Sequence, residues 1–579
     1  MYLLKTISYA LGLVLLLSAC ESYNNVVDPL PPSPSFSGDI VDNIGWYKDQ
    51  SKEVTTENIL LSASPSSSLC APHDDKQGPL RPCTLEDIEN DTNAFDDYAP
   101  QMSVIFSAPA FPSMNEQTNS LLKQKGKSTR SAPQKSYKIK LDSKTVLYMD
   151  QRRLQYNKQT YDLTRIRNKL SFDLFQEIPN FTSLRTEFVH LFLDKEDKGL
   201  YTRVESYDKE YLLHRGYNKD DNLYKAQHFL FYKHPSLVLN NEGVPVDKVA
   251  FEKIIEPQRG KEQTKLLEML RAIENENRDI DSIIFQYFNR NNYLTWLAVN
   301  LIMGNVDTIS QNFFLLNPLH SDTFYFLPWD YDDAWGWDQQ LDQFDTPYYA
   351  DWQLGIARYW DSPLHKRFLS KLENRKALDV MIQNIRNNYL TDSKVHDKII
   401  LYKKLVQPFI ESAPDKDYLP RGSKVNVTTV EWNTECDALV DKLALNINNY
   451  NTQKGKPMPF WQTFEYKNGI MHLIWDSSID LENEAITYSV SLGKDSNLTL
   501  PLIIDEANLE INSSKLSVTS YGEISYSFTP LVPFVSGEKL YLKVVSKDTQ
   551  NNTQIAFDKV EDEVTVNQFY HGVYEIVIP

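Results

Sequence analysis

Asp307-Thr308-Ile309-Ser310-Gln311-Asn312 and, further on, Pro328-Trp329-Asp330-Tyr331-Asp332 are the two stretches from which the chain is best read outward. Upstream, Ile280–Met303 carries Ile284, Phe288, Leu297 and Leu301 on one apolar face, so a long helix is expected to end near Met303 and release Asp307 into a loop. Asn312–Leu316 and Thr323–Leu327 read as strands of a hairpin that leads to Asp330. An aspartate alone in a loop is most often a helix cap. A carboxylate five residues before a carboxamide, then a second carboxylate past a hairpin, is a different matter, because these are the oxygen ligands that magnesium prefers.

The elements further upstream fall in a definite order. Ser103–Phe106 reads as a short strand, and a polar loop runs on to Gly126-Lys127-Ser128-Thr129-Arg130. Ser136–Leu141 alternates, with Tyr137, Ile139 and Leu141 on one face and Lys138 and Lys140 on the other. A helix is expected around 160–176, from the spacing of Leu163, Ile166, Leu170 and Leu174. Strands Glu187–Leu193 and Gly199–Glu205 follow, joined by the polar turn Asp194–Lys198. Beyond them the pattern turns helical, in Glu262–Asn275 and again at about 363–412.

Phosphoryl transfer from ATP needs a divalent metal against the phosphates, a carboxylate beside the attacking hydroxyl and cations over the transferring group. In protein kinases an Asp stands five residues before a metal-binding Asn, and a hairpin leads to a second metal-binding Asp. Gly126–Arg130 followed by Lys135-Ser136-Tyr137-Lys138 resembles the opening motif of the spore coat protein H (CotH) family. Arg167-Asn168-Lys169-Leu170, Gly199-Leu200-Tyr201 ending in Glu205, Leu223-Tyr224-Lys225, Asp307–Asn312 and Pro328–Asp332 continue it in register, over roughly residues 100–370.

The resemblance implies an α+β fold, with an atypical protein-kinase-like two-lobed domain that uses ATP and Mg or Mn to phosphorylate Ser or Thr of a protein. It implies Asp330 as main metal ligand with Asn312 and Asp332 assisting, and Asp307 as the carboxylate that orients the acceptor hydroxyl. Lys138 is the expected phosphate lysine, with Lys135 and Lys140 as rivals. Arg130 is expected to clamp phosphate, its fork suiting such oxygens. Glu205 is placed where a hinge would meet the nucleotide, and Lys225 is assigned to the nucleotide as well. The chain departs from ordinary kinases in having one glycine in its loop, no His-Arg before Asp307 and no Glu in the 160–176 helix. A nucleotide-binding or catalytically silent scaffold or adhesin is the alternative reading.

Lys5, an apolar run to Leu17 and then Leu17-Ser18-Ala19-Cys20 form a signal peptide that resembles a bacterial lipobox. Lipid on Cys20 would tether the protein to a membrane without spanning it. Glu21 and Ser22 favour the outer membrane. The expected division is signal peptide 1–20, Pro/Ser-rich tether 21–98, kinase-like domain 99–457 and β-sandwich 458–579. The last segment alternates with period two at Met471/Leu473/Trp475, Ile486/Tyr488/Val490/Leu492, Ile524/Tyr526/Phe528 and Leu540/Leu542/Val544, and resembles a fibronectin type III module. Cys70 and Cys83 are spaced for a small disulfide loop in an exported protein, and Cys436 reads as a buried thiol. A net charge of -18 spread along the chain argues against nonspecific nucleic-acid binding. Trp329, Trp335 and Trp337, close to an apolar strand, read as core and pocket wall.

Overall fold

The computed structural model describes residues 38–579 except 41, 48–51, 63–64, 94–96, 110, 112–116, 144, 337–349, 421–426, 521 and 563–567. The signal peptide, Cys20 and Trp337 lie outside the described residues.

The first strand, β1 (Thr55–Leu61), falls within the stretch expected as tether, so that boundary is corrected. It is built into a closed barrel with β4 (Gln101–Ser107), β5 (Ser120–Lys125), β6 (Ser136–Leu141), β7 (Arg153–Asn157), β8 (Thr186–Leu193) and β9 (Glu196–Glu205), in the order β1-β4-β5-β6-β7-β9-β8. β1 runs antiparallel to β4 and closes the barrel by pairing parallel with β8, Ile59 lying opposite Phe106 on one side and Leu193 on the other. Ile59, Val104, Leu122, Ile139, Leu154 and Val189 fill the interior. A short hairpin, β2 (Leu69–Cys70) and β3 (Arg81–Pro82), leaves the barrel, and the Cys70–Cys83 disulfide is formed there.

Three expected elements are trimmed, each for a local reason. The helix expected at 160–176 occupies Arg167–Phe175, because Asp162 accepts from the backbone N–H of Thr164 and Arg167 while Arg165 adopts φ 63°. The turn before β9 tightens to Asp194-Lys195, both with positive φ, as a two-residue hairpin needs. The helix expected over 280–303 is two helices, Ile280–Tyr287 and Arg290–Met303, since Phe288 is extended and Asn289 caps the second.

A four-stranded sheet, with β10 (Asn222–Ala226), β11 (Ile255–Arg259), β12 (Phe313–Asn317) and β13 (Tyr325–Pro328) in the order β11-β10-β12-β13, lies on a helical core. That core gathers Trp296, Phe231, Phe326, Leu378, Val395, Trp432 and Leu443. It includes a long helix, Thr429–Lys454, that the sequence pattern did not single out. From Gln462 onward, two antiparallel sheets share one core of Met471, Leu473, Trp475, Val490, Leu492, Leu540 and Val544. They are joined to the helices by Arg375, which donates to the carbonyl of Leu481 at 2.8 Å, and by Trp461 Nε1, which donates to Asp361 at 2.7 Å.

Candidate functional site

Helix Arg290–Met303 stops because Gly304 takes a left-handed conformation, φ 58°, against Asn446. The chain then turns into Asn305, whose side chain links two loops. Its Oδ1 accepts the Asp307 N–H at 3.4 Å, and its Nδ2 donates to the Asp330 carbonyl at 3.5 Å. Asp307 is held by two carboxamides, Gln311 Nε2 donating to one carboxylate oxygen and Asn312 Nδ2 to the other.

Phe313 pairs with Pro328 at the end of the β12–β13 ladder, so Asn312 and Asp330 lie at the same end of the hairpin. Both have left-handed backbones, φ 55° and 57°. For residues that are not glycine, such conformations persist only where surrounding contacts enforce them, and they cluster at functional sites. The contacts here are evident. Asn168 accepts the Tyr331 N–H at 3.1 Å, Tyr331 donates its hydroxyl hydrogen to Asn300, and Trp335 Nε1 donates to Ser171. Trp329 and Trp335 are buried, as expected of core and wall.

The result is an acidic pole. Burial raises the Asp332 carboxyl well above the ordinary range, and Asp330 and Asp333 add to the effect. Asp333 is pushed up to about 7 by burial and by Asp307 and Asp330. Asp307 is raised by burial, an effect that the two carboxamides partly offset. Opposite stand cations. Lys125 is lowered by burial and held back by the fields of Asp330 and Asp332; it donates to Asn157 at 2.6 Å and lies 5.5 Å from the Trp329 ring centre. Lys127 is lowered by burial and by Lys225 and held back by Glu256 and Asp307, and it donates to Gln227 at 2.8 Å.

The donor set suits a magnesium-type ion, since several carboxylates crowded in a low-dielectric site repel one another until a cation joins them. Among the described residues no group of three or more His, Cys, Asp or Glu is placed to hold a metal alone. Magnesium takes one or two carboxylates and completes its shell with phosphate oxygens and water.

The structure brings together Asp307, Asn312, Asp330, Asp332 and Lys225, and leaves three other expected residues apart. Arg130 is ion-paired with Asp91 and donates from Nε to the Gly126 carbonyl, so it fastens its own loop. Glu205 is clamped between Arg185 and Arg215; burial would raise its carboxyl, but the two guanidinium groups hold it down to about 2. Its backbone N–H is also taken, by the carbonyl of Arg185. Lys138 lies one strand beyond Lys125, among Lys123, Arg153 and Lys125 rather than at the acidic pole. Of its rivals, Lys135 donates to the Arg130 carbonyl at 2.6 Å and Lys140 is exposed. The lysine that the sequence reading passed over is Lys125. Its only signal was its place directly before Gly126, at the end of the strand feeding the loop.

Residues 122–446 match the family described as CotH kinase protein. Inner spore coat protein H of Bacillus subtilis (strain 168) is 25% identical over 299 residues, covering 50% of this chain and 78% of its own. Among solved structures, the Helicobacter pylori proinflammatory kinase CtkA covers 55% of this chain and 90% of its own, at 13% identity and a TM-score of 0.22. The HipA, HipB and operator DNA complex of Shewanella oneidensis MR-1 covers 68% and 75%, at 11% identity and a TM-score of 0.23. Superpositions this loose carry no argument.

Proposed function

Since the chain belongs to the CotH kinase protein family, we propose that it transfers the γ-phosphate of ATP to Ser or Thr hydroxyls of an extracytoplasmic protein, with Mg or Mn. The observation that carries this reading is the convergence of Asp307, Asn312, Asp330 and Asp332, with Lys125 in the field of Asp330 and Asp332 and Lys225 on the strand beside β12. When bound, the metal neutralises charge on the phosphates; Asp330 and Asn312 would hold it, with Asp332 behind them. Lys125, Lys127 and Lys225 are the cations that position the phosphates. Asp307, its carboxylate fixed by Gln311 and Asn312, orients the acceptor hydroxyl and receives its proton.

The test is label transfer from ATP to a casein-like acceptor, for the wild type beside Asp307→Ala and Asp330→Ala. Transfer lost in both variants supports the kinase. Metal-dependent ATP binding without transfer to any acceptor would favour the scaffold reading, which draws on one observation: Lys125 is anchored by the carboxamide of Asn157 instead of a carboxylate.

Export and lipid anchoring at Cys20, in the outer membrane, belong to the same reading, with the two C-terminal sheets as a fibronectin type III-like binding module. Cys20→Ser is expected to move the protein from the membrane to the soluble fraction. Unchanged fractionation would remove the anchor from the proposal.

A further inference from the structure

The outer face of β5, β6 and β7 carries an arrangement that strand pairing alone disfavours. Lys123 lies directly opposite Lys138, and Lys140 directly opposite Arg153. Like charges facing each other across a ladder destabilise it. The four residues form a contiguous patch, because Lys138 and Lys140 sit two apart on the middle strand. Among the described residues none of the four side chains has a hydrogen-bonding or ion-pair partner; Lys123 and Lys140 are exposed, and Lys138 and Arg153 are half-buried.

The carboxylates whose fields reach the patch are otherwise engaged. Asp208 caps helix Lys209–His214 by accepting two backbone N–H groups, and Glu256 accepts from Gln227. Lys138 and Lys123 are both depressed by burial and then by their cationic neighbours, Lys138 to about 7. The patch is continuous with the acidic pole, since Lys123 and Lys125 share one face of β5 and Lys125 faces Asp330 and Asp332.

We propose that Lys123, Lys138, Lys140 and Arg153 form an anion subsite for a phosphate group or short polyphosphate, separate from the phosphates gathered at the acidic pole. A carboxylate would neutralise one of the four charges, whereas a polyvalent phosphate meets several at once, and the Arg153 fork suits its oxygens. The nucleotide's own phosphates being gathered at the acidic pole, the occupant is a phosphate of a second phosphorylated molecule.

Calorimetric titration of tripolyphosphate, without metal, into the purified full chain tests this, with Asp330→Ala and the double variant Lys123→Gln/Lys140→Gln alongside. Wild type and Asp330→Ala are expected to bind. The double variant should bind about tenfold more weakly, as loss of charge-assisted bonds implies. Its melting temperature without ligand should equal or exceed that of the wild type, because a like-charge contact has been removed. No binding by the wild type, equal affinity in the double variant, or a lower melting temperature would each overturn the proposal, the last by making the lysines structural. Repeating the titration with saturating ATP and Mg tests the separation: simultaneous binding supports a second phosphorylated molecule, and displacement of tripolyphosphate by the nucleotide overturns the proposal. If ATP and Mg fail to bind while tripolyphosphate binds, the kinase reading fails and the subsite stands.

Discussion

Lys125 stands in the field of Asp330, and replacing each should have a different signature. Asp330→Ala is expected to abolish metal-dependent nucleotide binding while leaving the melting temperature within a few degrees of wild type, because it removes a repelling carboxylate from Asp332 and Asp333. Lys125→Ala should lower kcat/KM for ATP by about 100-fold, the scale of one lost charge-stabilising donor, and by more than Lys138→Ala does. Glu205 belongs to stability. Glu205→Gln leaves Arg185 and Arg215 short of a buried counter-charge and is expected to cost about 3–5 kcal/mol at neutral pH in denaturant unfolding. Its folded-state pKa lies below the ordinary 4.5, so its contribution is complete above that value and is lost as pH falls through about 2. The gap between wild type and variant should therefore narrow over that window. The grouping of Asp307, Asn312 and Asp330 could be read from the sequence because it follows from their spacing along the chain. Glu205 could not be assigned, since its partners lie 20 and 10 residues away and meet it only after β9 has paired. Lys125 escaped notice for a related reason: period two puts Lys123, Lys125, Lys138 and Lys140 all on outward faces, and only the closed barrel shows which one meets the aspartates.

At the scale of elements, the turn at Gly304 fixes where Asp307 stands. A Cβ there would come within 2.5 Å of Asn446 Nδ2, on a backbone with φ 58°. Gly304→Ala should therefore destabilise the protein by about 1–3 kcal/mol and reduce phosphoryl transfer more than proportionally, measured by thermal melts and initial rates. Elements with a plain apolar period, such as β6, helix Thr264–Glu274 and the C-terminal strands, were legible in the sequence. The break at Phe288 was not, because Phe288 continues the helical apolar face while its backbone turns extended to pack against Phe324 and Phe326. β1 was hidden by Glu57, a carboxylate on an inward position, satisfied inside the barrel by Arg203, Tyr148 and Tyr156. Burial raises that carboxyl even so, and no pattern of apolar residues announces such a strand.

The C-terminal sheets are bound into the rest of the molecule. Phe557 packs on Trp352, Leu481 accepts from Arg375, and Asn552 donates to the carbonyl of Gly455. A chain ending at residue 457 is expected to fold but to melt several degrees lower, as a loss of about 1–2 kcal/mol implies for a domain of this size, with calorimetry as the check. The barrel has its own consequence for the order in which the molecule can assemble. β1 is the first barrel strand to be made, yet one of its two partners, β8, is the sixth, Thr55 waiting for Val189. Until that partner arrives, Thr55–Ile59 presents an unpaired edge, and closing the barrel requires joining two distant parts of the chain in parallel. Folding should thus be slow and late relative to synthesis, and a chain delivered across a membrane in extended form would need its leading strand shielded from other chains until the sixth had followed it through.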